Sequence, residues 1–117
     1  MKLSVLVAED EVMVSMILED MIEDAGHAVA GTAVSVDAAL ALIADGRTID
    51  CALLDVNLRG QLSYPIADAL DAKGITYAFT SGYGAAGIEA RFKDRVVLAK
   101  PIDVAKLNAF LAAQAKG

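Results

Sequence analysis

Five short apolar runs, set at intervals along the chain, constrain its fold more than any other feature. They are Leu3 to Ala8, Ala28 to Ala33, Asp50 to Leu54, Ile75 to Thr80 and Val96 to Ala99. Each is too short for a helix and has the length of a strand. The third is the most telling. Cys51-Ala52-Leu53-Leu54 carries no charge and runs straight into Asp55. Such a run reads as a strand buried on both faces, as parallel sheets require.

The stretches between the runs have helical spacing. Val12, Met13, Met16, Ile17, Met21 and Ile22 recur at that spacing from Val12 to Ala25, and Gly26 ends the helix. Ser35 is a natural cap for a helix through Ala44, with Val36, Ala39, Leu40 and Ile43 inward. Val56 to Leu62 reads as a loop that Gly60 makes pliable. Ser63 or Tyr64 caps a short helix opening at Pro65, with Ile66, Ala69 and Leu70 inward. Asp103 caps a last helix, with Val104, Leu107, Phe110 and Leu111 inward. The four methionines are read as core or N-terminal, not as a binding stripe. His27 is read as a solvated loop residue without a role, and Arg91, Lys93 and Arg95 as a solvated segment.

Strand-then-helix alternation predicts a doubly wound α/β domain, a five-stranded parallel sheet with helices on both faces. Its commonest strand order is the flavodoxin-like 2-1-3-4-5. One unit is defective. Gly82, Gly84 and Gly87 crowd the stretch after the fourth strand. Glycine opposes regular helix, so the fourth helix is expected to be short, displaced or missing, with at most a turn or two around Ile88 to Phe92.

Composition removes several function classes. A chain of 117 residues is one ordinary domain, spanning 1–117 with no output domain beside it. Apolar residues make up 56% of it, which supports a core and argues against disorder. The net charge of −6 and the lack of a basic stripe disfavour nucleic-acid binding. Met1 to Ala8 is not a signal peptide, and no apolar stretch approaches membrane-spanning length. The lone Cys51 fits a reducing compartment and a core position. A soluble, cytoplasmic protein is the expectation.

A parallel sheet brings the C-terminal ends of its strands to one edge. The first strand delivers Glu9 and Asp10, the third Asp55, the fourth Thr80 and Ser81, the fifth Lys100. In the order 2-1-3-4-5 the first and third strands are neighbours. Three carboxylates then meet, and at about 4 Å with an effective dielectric near 20 each pair repels by roughly 4 kcal/mol. A cation or a retained proton relieves this. All-oxygen ligands favour a hard cation such as Mg²⁺. Lys100 and the Ser81 hydroxyl suit phosphoryl oxygens, which points to phosphoryl transfer onto Asp55.

The chain from Leu3 to about Ala115 resembles a response-regulator receiver domain, of the CheY-like kind. The matching pieces are Val5-Leu6-Val7-Ala8-Glu9-Asp10-Glu11, Leu53-Leu54-Asp55-Val56-Asn57-Leu58, Ser81-Gly82 and Lys100-Pro101, in that order. The resemblance implies Asp55 as phosphoacceptor, with Glu9 and Asp10 as the acidic pair that organises Mg²⁺ and Asp10 the more direct ligand. It implies the Asn57 backbone carbonyl as a further metal ligand, Ser81 as the switch hydroxyl and Lys100 as the family's lysine. Pro101 follows through what is often a cis peptide bond in that family. Phe79-Thr80-Ser81-Gly82-Tyr83-Gly84 is similar to the motif of the FATGUY receivers, many of them stand-alone receivers of alphaproteobacteria with an atypical or absent fourth helix. Asp55 to Gly60 and Pro65 to Leu70 also resemble that group.

Three positions depart from the pattern. Val97 stands where most receivers carry an aromatic switch residue, and Tyr83 is the nearest candidate substitute. Glu9 replaces the commoner Asp, and Ser81 the commoner Thr. The resemblance implies a phosphoacceptor rather than an enzyme, served by a sensor histidine kinase or a histidine phosphotransfer protein. It signals through phosphorylation-dependent protein contacts, or acts as a phosphate shuttle or sink. Two other classes remain open: an aspartyl-nucleophile phosphatase of the haloacid-dehalogenase kind, which wants an acid where Asn57 stands, and a degenerate receiver that only binds partners.

Overall fold

The computed structural model describes residues 1–116. The five apolar runs form one parallel sheet from β1 (Ser4–Ala8), β2 (Ala28–Ala33), β3 (Cys51–Asp55), β6 (Thr76–Ser81) and β7 (Val96–Ala99). Their order is β2-β1-β3-β6-β7, the doubly wound order expected for five such strands. Strand β3 is buried from end to end and includes Asp55 as its last residue.

Side-chain alternation splits the core into two layers, one on each face of the sheet. Leu6, Ala8, Ala52, Leu54, Tyr77 and Phe79 face α2 (Val36–Ala44) and α3 (Tyr64–Ala72). Val5, Val7, Cys51, Leu53, Ala78 and Leu98 face α1 (Val12–Asp24) and α4 (Val104–Lys116). Because neighbouring residues point to opposite layers, both must be apolar, which is why the strands read as unbroken runs.

Caps fall where side-chain chemistry places them. The Ser35 hydroxyl accepts from Ala38 N–H at 3.1 Å, and an Asp103 carboxylate oxygen accepts from Ala105 N–H at 2.8 Å. Ser63 takes the cap position of α3, yet its hydroxyl makes no cap bond and is buried without a partner. The expected loop after β3 is instead a small hairpin, β4 (Asn57–Leu58) with β5 (Gln61–Leu62). Arg59 and Gly60 turn it with φ of 52° and 82°. Positive φ at both central residues matches the right-handed twist of the strands.

Helix α1 departs most from expectation. Ser15, Leu18 and Ile22 are its buried residues, whereas Val12, Met13, Met16 and Ile17 are exposed. The apolar positions formed a face, but Met13 and Met16 are not core. Val104 of α4 is also exposed rather than inward. His27 is not merely solvated: its Nδ1 accepts from Leu3 N–H at 3.0 Å, closing the entry to β1.

The fourth helix is missing. Between β6 and β7 lie two single 3₁₀ turns, Gly84–Gly87 and Ala90–Phe92. Gly84 has φ of 58°, which a side chain would strain. Ile88 and Phe92 are buried and hold this segment against the sheet and α3.

Candidate functional site

The expected residues meet at the C-terminal edge of the sheet. Glu9 and Asp10 follow β1 directly, and Asp55 ends the neighbouring β3. Carboxylate oxygens of Glu9, Asp10 and Asp55 come within 4.8 Å of one another. Lys100, just past β7, places its Nζ 2.8 Å from Asp55 Oδ2 and 2.8 Å from Glu9 Oε1. The Lys100–Pro101 peptide is cis.

The three acids differ in setting. Glu9 is 1% exposed, and both its oxygens are taken. Oε1 accepts from Lys100 and Oε2 from Glu11 N–H at 3.0 Å. Burial pushes its carboxyl above the ordinary value, an effect that Lys100 and the Glu11 amide only partly offset. Asp10 is half-buried and faces the hairpin. Burial pushes it up, but the Arg59 N–H, bonded to Oδ2 at 3.0 Å, and the Lys100 charge hold it below its ordinary range. Asp55 accepts from Asn57 N–H at 3.3 Å through Oδ1. Burial works against the Lys100 ammonium, but the bonds to Asp55 and Glu9 outweigh it and raise its affinity for its proton.

Glu9 is thus a buried counter-charge to Lys100, while Asp10 and Asp55 present oxygens to the opening. That set suits a hard cation held by one or two carboxylates and water. Asn57 is exposed two residues past Asp55, and its side-chain Oδ1 accepts from Gly60 N–H, bracing the hairpin.

A cleft of about 220 Å³ opens beside Asp55, lined by Asn57, Leu62, Ser81, Gly82, Tyr83 and Gly87 among others. The Ser81 Oγ is buried and accepts from Tyr83 N–H at 3.1 Å. The Tyr83 ring is 85% exposed, so in this arrangement it fills no internal slot. Val97 pairs with Phe79 across the sheet and packs against the layer that holds Tyr64 and Phe92.

Two contributors were not foreseen. Arg59 braces Asp10 through its backbone, which no side-chain pattern signals. Tyr64 opens α3, and its buried hydroxyl bridges to the segment after β6. The signal for Tyr64 is chemical: a buried tyrosine needs a partner for its hydroxyl. Cys51 is as read, with burial pushing its thiol up to about 12.

No protein-family model matches the sequence, and no curated protein matches it either. Solved structures do. SdrG from Sphingomonas melonis Fr1 is 41% identical, over 97% of each chain, with a TM-score of 0.86. The BeF3-activated conformation of SdrG from Pseudomonas melonis Fr1 covers 94% of this chain and 93% of its own, at 41% identity and 0.81. The REC domain of the response regulator PhyR from Erythrobacter litoralis is 24% identical over 97% of this chain and 90% of its own, and shares the fold at 0.84. Sheet order, acidic edge and these likenesses agree: the chain belongs to the response-regulator receiver family.

Proposed function

We propose that the chain is a single-domain receiver, residues 1–117, that takes a phosphoryl group from a phosphohistidine onto Asp55. The observation that carries this is the pairing of Lys100 with Asp55 and Glu9, with carboxylate oxygens of Glu9, Asp10 and Asp55 within 4.8 Å of one another. An Asp55 oxygen attacks phosphorus, the P–N bond breaks, and its electron pair stays on the donor imidazole. Asp10 and Asp55 would hold Mg²⁺, with the Asn57 carbonyl as a further ligand and Glu9 behind them. Bound there, Mg²⁺ offsets charge on the phosphoryl oxygens. Lys100 shifts from Asp55 to the phosphoryl group, and Ser81 donates to another of its oxygens.

The donor is a sensor histidine kinase or a histidine phosphotransfer protein. Support comes from the exposed apolar face of α1. Met13, Met16 and Ile17 are exposed there, and Ile17 with Val14, Leu18, Lys100, Pro101 and Ile102 lines a cleft of about 140 Å³. A helix carrying the phosphohistidine would bury that face with its imidazole near Lys100. Phe79 to Gly84 and the missing fourth helix support the FATGUY-type, stand-alone reading. Output then runs through protein contacts, or the domain serves as a phosphate shuttle or sink. No helix among the described residues is long and apolar enough to cross a membrane, which fits a cytoplasmic site of action.

Asn57 braces the hairpin instead of presenting a second acid, which favours an acceptor over an aspartyl phosphatase. The test is incubation with Mg²⁺ and a phosphorylated histidine kinase. The expected result is a mass gain of one phosphoryl group, absent in Asp55→Asn. Steady release of phosphate without an adduct would point to the phosphatase, and no reaction at all to a binding-only module.

A further inference from the structure

Removing the fourth helix leaves a question of what holds its replacement in place. The segment from Gly82 to Arg95 contains little regular structure, yet Ile88 and Phe92 are buried. Its fastenings run to α3 and to the sheet beneath. Tyr64, the first residue of α3, donates its hydroxyl to Gly87 O at 3.3 Å and accepts from Glu89 N–H at 2.9 Å. One hydroxyl thus satisfies two backbone groups across the junction of the two 3₁₀ turns. The Tyr64 ring stacks on Phe92, with centroids 4.9 Å apart and planes 11° from parallel, and meets Phe79 edge-on at 5.8 Å. Arg91 adds paired contacts to Asp68 of α3 at 2.7 and 3.2 Å.

The other end of the segment is tied to the acidic site. Ser81 Oγ accepts from Tyr83 N–H. Tyr83 O accepts from Ala86 N–H at 3.3 Å, and Ala85 O from Ile88 N–H at 3.3 Å. Between them sits Gly87, whose carbonyl is the one Tyr64 holds. In the switch proposed below, the Ser81 side chain rotates toward a phosphoryl oxygen on Asp55, and its Oγ moves away from Tyr83 N–H. The turn that starts at Tyr83 then loses its fixed point. Its bonds are long, near the outer limit for an amide donor, so the turn yields before the buried ring stack does.

We propose that Tyr64 is a positioning residue for the switch: its hydroxyl clasps Gly87 and Glu89 in the unphosphorylated form and lets go when Ser81 turns toward Asp55. The coupling therefore runs from Asp55 through Ser81 and the Gly84–Gly87 turn to the start of α3. This takes over the work that an aromatic residue at position 97 does elsewhere in the family, where this chain has Val97. A clasp made in one form only biases the equilibrium against the other, and its removal must raise affinity for whatever selects the other form.

The inference rests on Asp55 being the phosphoacceptor, and the experiment separates the two. The probe is beryllofluoride with Mg²⁺, titrated into the wild type and into Tyr64→Phe. Phenylalanine keeps the stack on Phe92 and deletes only the clasp. The expected result is an apparent Kd lower by about two- to tenfold, the worth of one ordinary hydrogen bond, with the melting temperature of the free protein lower by a few degrees. A hydroxyl that is merely structural would lower the melting temperature and leave Kd alone, and that result overturns the clasp while leaving Asp55 in its role. A wild type that neither binds beryllofluoride nor takes a phosphoryl group overturns both. Should Tyr64→Phe not fold, amide exchange in the wild type decides. Glu89 N–H exchanges several-fold faster at saturating beryllofluoride if the clasp opens, and an unchanged rate overturns the proposal.

Discussion

Lys100→Met tests the charge arrangement on which the site depends. The wild-type ammonium is 2.8 Å from both Glu9 and Asp55, in side chains that are 18%, 0% and 12% exposed. Removing one partner of a buried pair commonly costs about 3–5 kcal/mol, because the other charge is stranded. Here the loss has a ceiling. Glu9 can take up a proton, and from its ordinary value of 4.5 that costs about 3.4 kcal/mol at neutral pH, at 1.36 kcal/mol per unit. Its folded value is already raised, so the loss stays below that ceiling. For a domain of this size a loss at the ceiling lowers the melting temperature by about 14 °C, and a smaller loss by less. The deficit depends on pH with a definite sign. A carboxyl whose folded value is raised stabilises the fold below its unfolded value, 4.5, and stops doing so as pH climbs through the folded value. The variant should therefore fall furthest behind the wild type at neutral pH and draw level with it near pH 4.5. Mg²⁺ should stabilise the variant more than the wild type, since the ammonium no longer competes for the carboxylates. Thermal melts across pH with and without Mg²⁺ make the measurement. A deficit that is constant from neutral to acid pH, or no deficit, would refute the reasoning.

Two further outcomes follow from the same structure. Phe92→Ala removes a ring 1% exposed that stacks on Tyr64 and meets Phe79 edge-on, so denaturant unfolding should show a loss of about 3 kcal/mol, and a loss under 1 would mean the segment is not anchored there. Tyr77 is raised above its ordinary 10.0 by burial first and by Asp71 next, with Arg95 opposing. Its stabilising effect is whole below pH 10.0 and fades as pH climbs through the folded value. Ultraviolet titration of phenolate should show its step move down in Asp71→Asn and up in Arg95→Gln.

Some of this was legible from residue order alone. The sheet order is the commonest one for five parallel strands, and the acidic edge follows from strand ends, because each run stops at the residue it delivers to the site. Asp55, Glu9, Asp10, Ser81 and Lys100 all arrive that way. That the fourth helix would be short, displaced or missing was equally plain, since three glycines in a short stretch act locally on the backbone. What failed was orientation. Helical spacing showed a face on α1 containing Met13 and Met16, but period alone does not say whether a face meets the sheet. Ser15, small enough to lie close under it, took the buried row with Leu18 and Ile22. The hairpin at Asn57 to Leu62 was missed because Arg59 carries a positive φ usually left to Asn or Gly.

The residues that escaped notice share a physical cause. Tyr64 and Glu89 are far apart in the chain, as are Asp10 and Arg59 and Leu3 and His27, and each pair is joined through a backbone group. Backbone groups are the same at every position, so no spacing announces such a bond. Only burial does, by making an unpaired hydroxyl or amide costly. The chemical site could be read early because its side chains are chemically distinctive. The route from that site to the surface is built from backbone bonds of about 3 Å gathered by one tyrosine. A route of that kind is free to vary while the acids and the lysine keep their places, because it draws on no distinctive side chain except that of Tyr64.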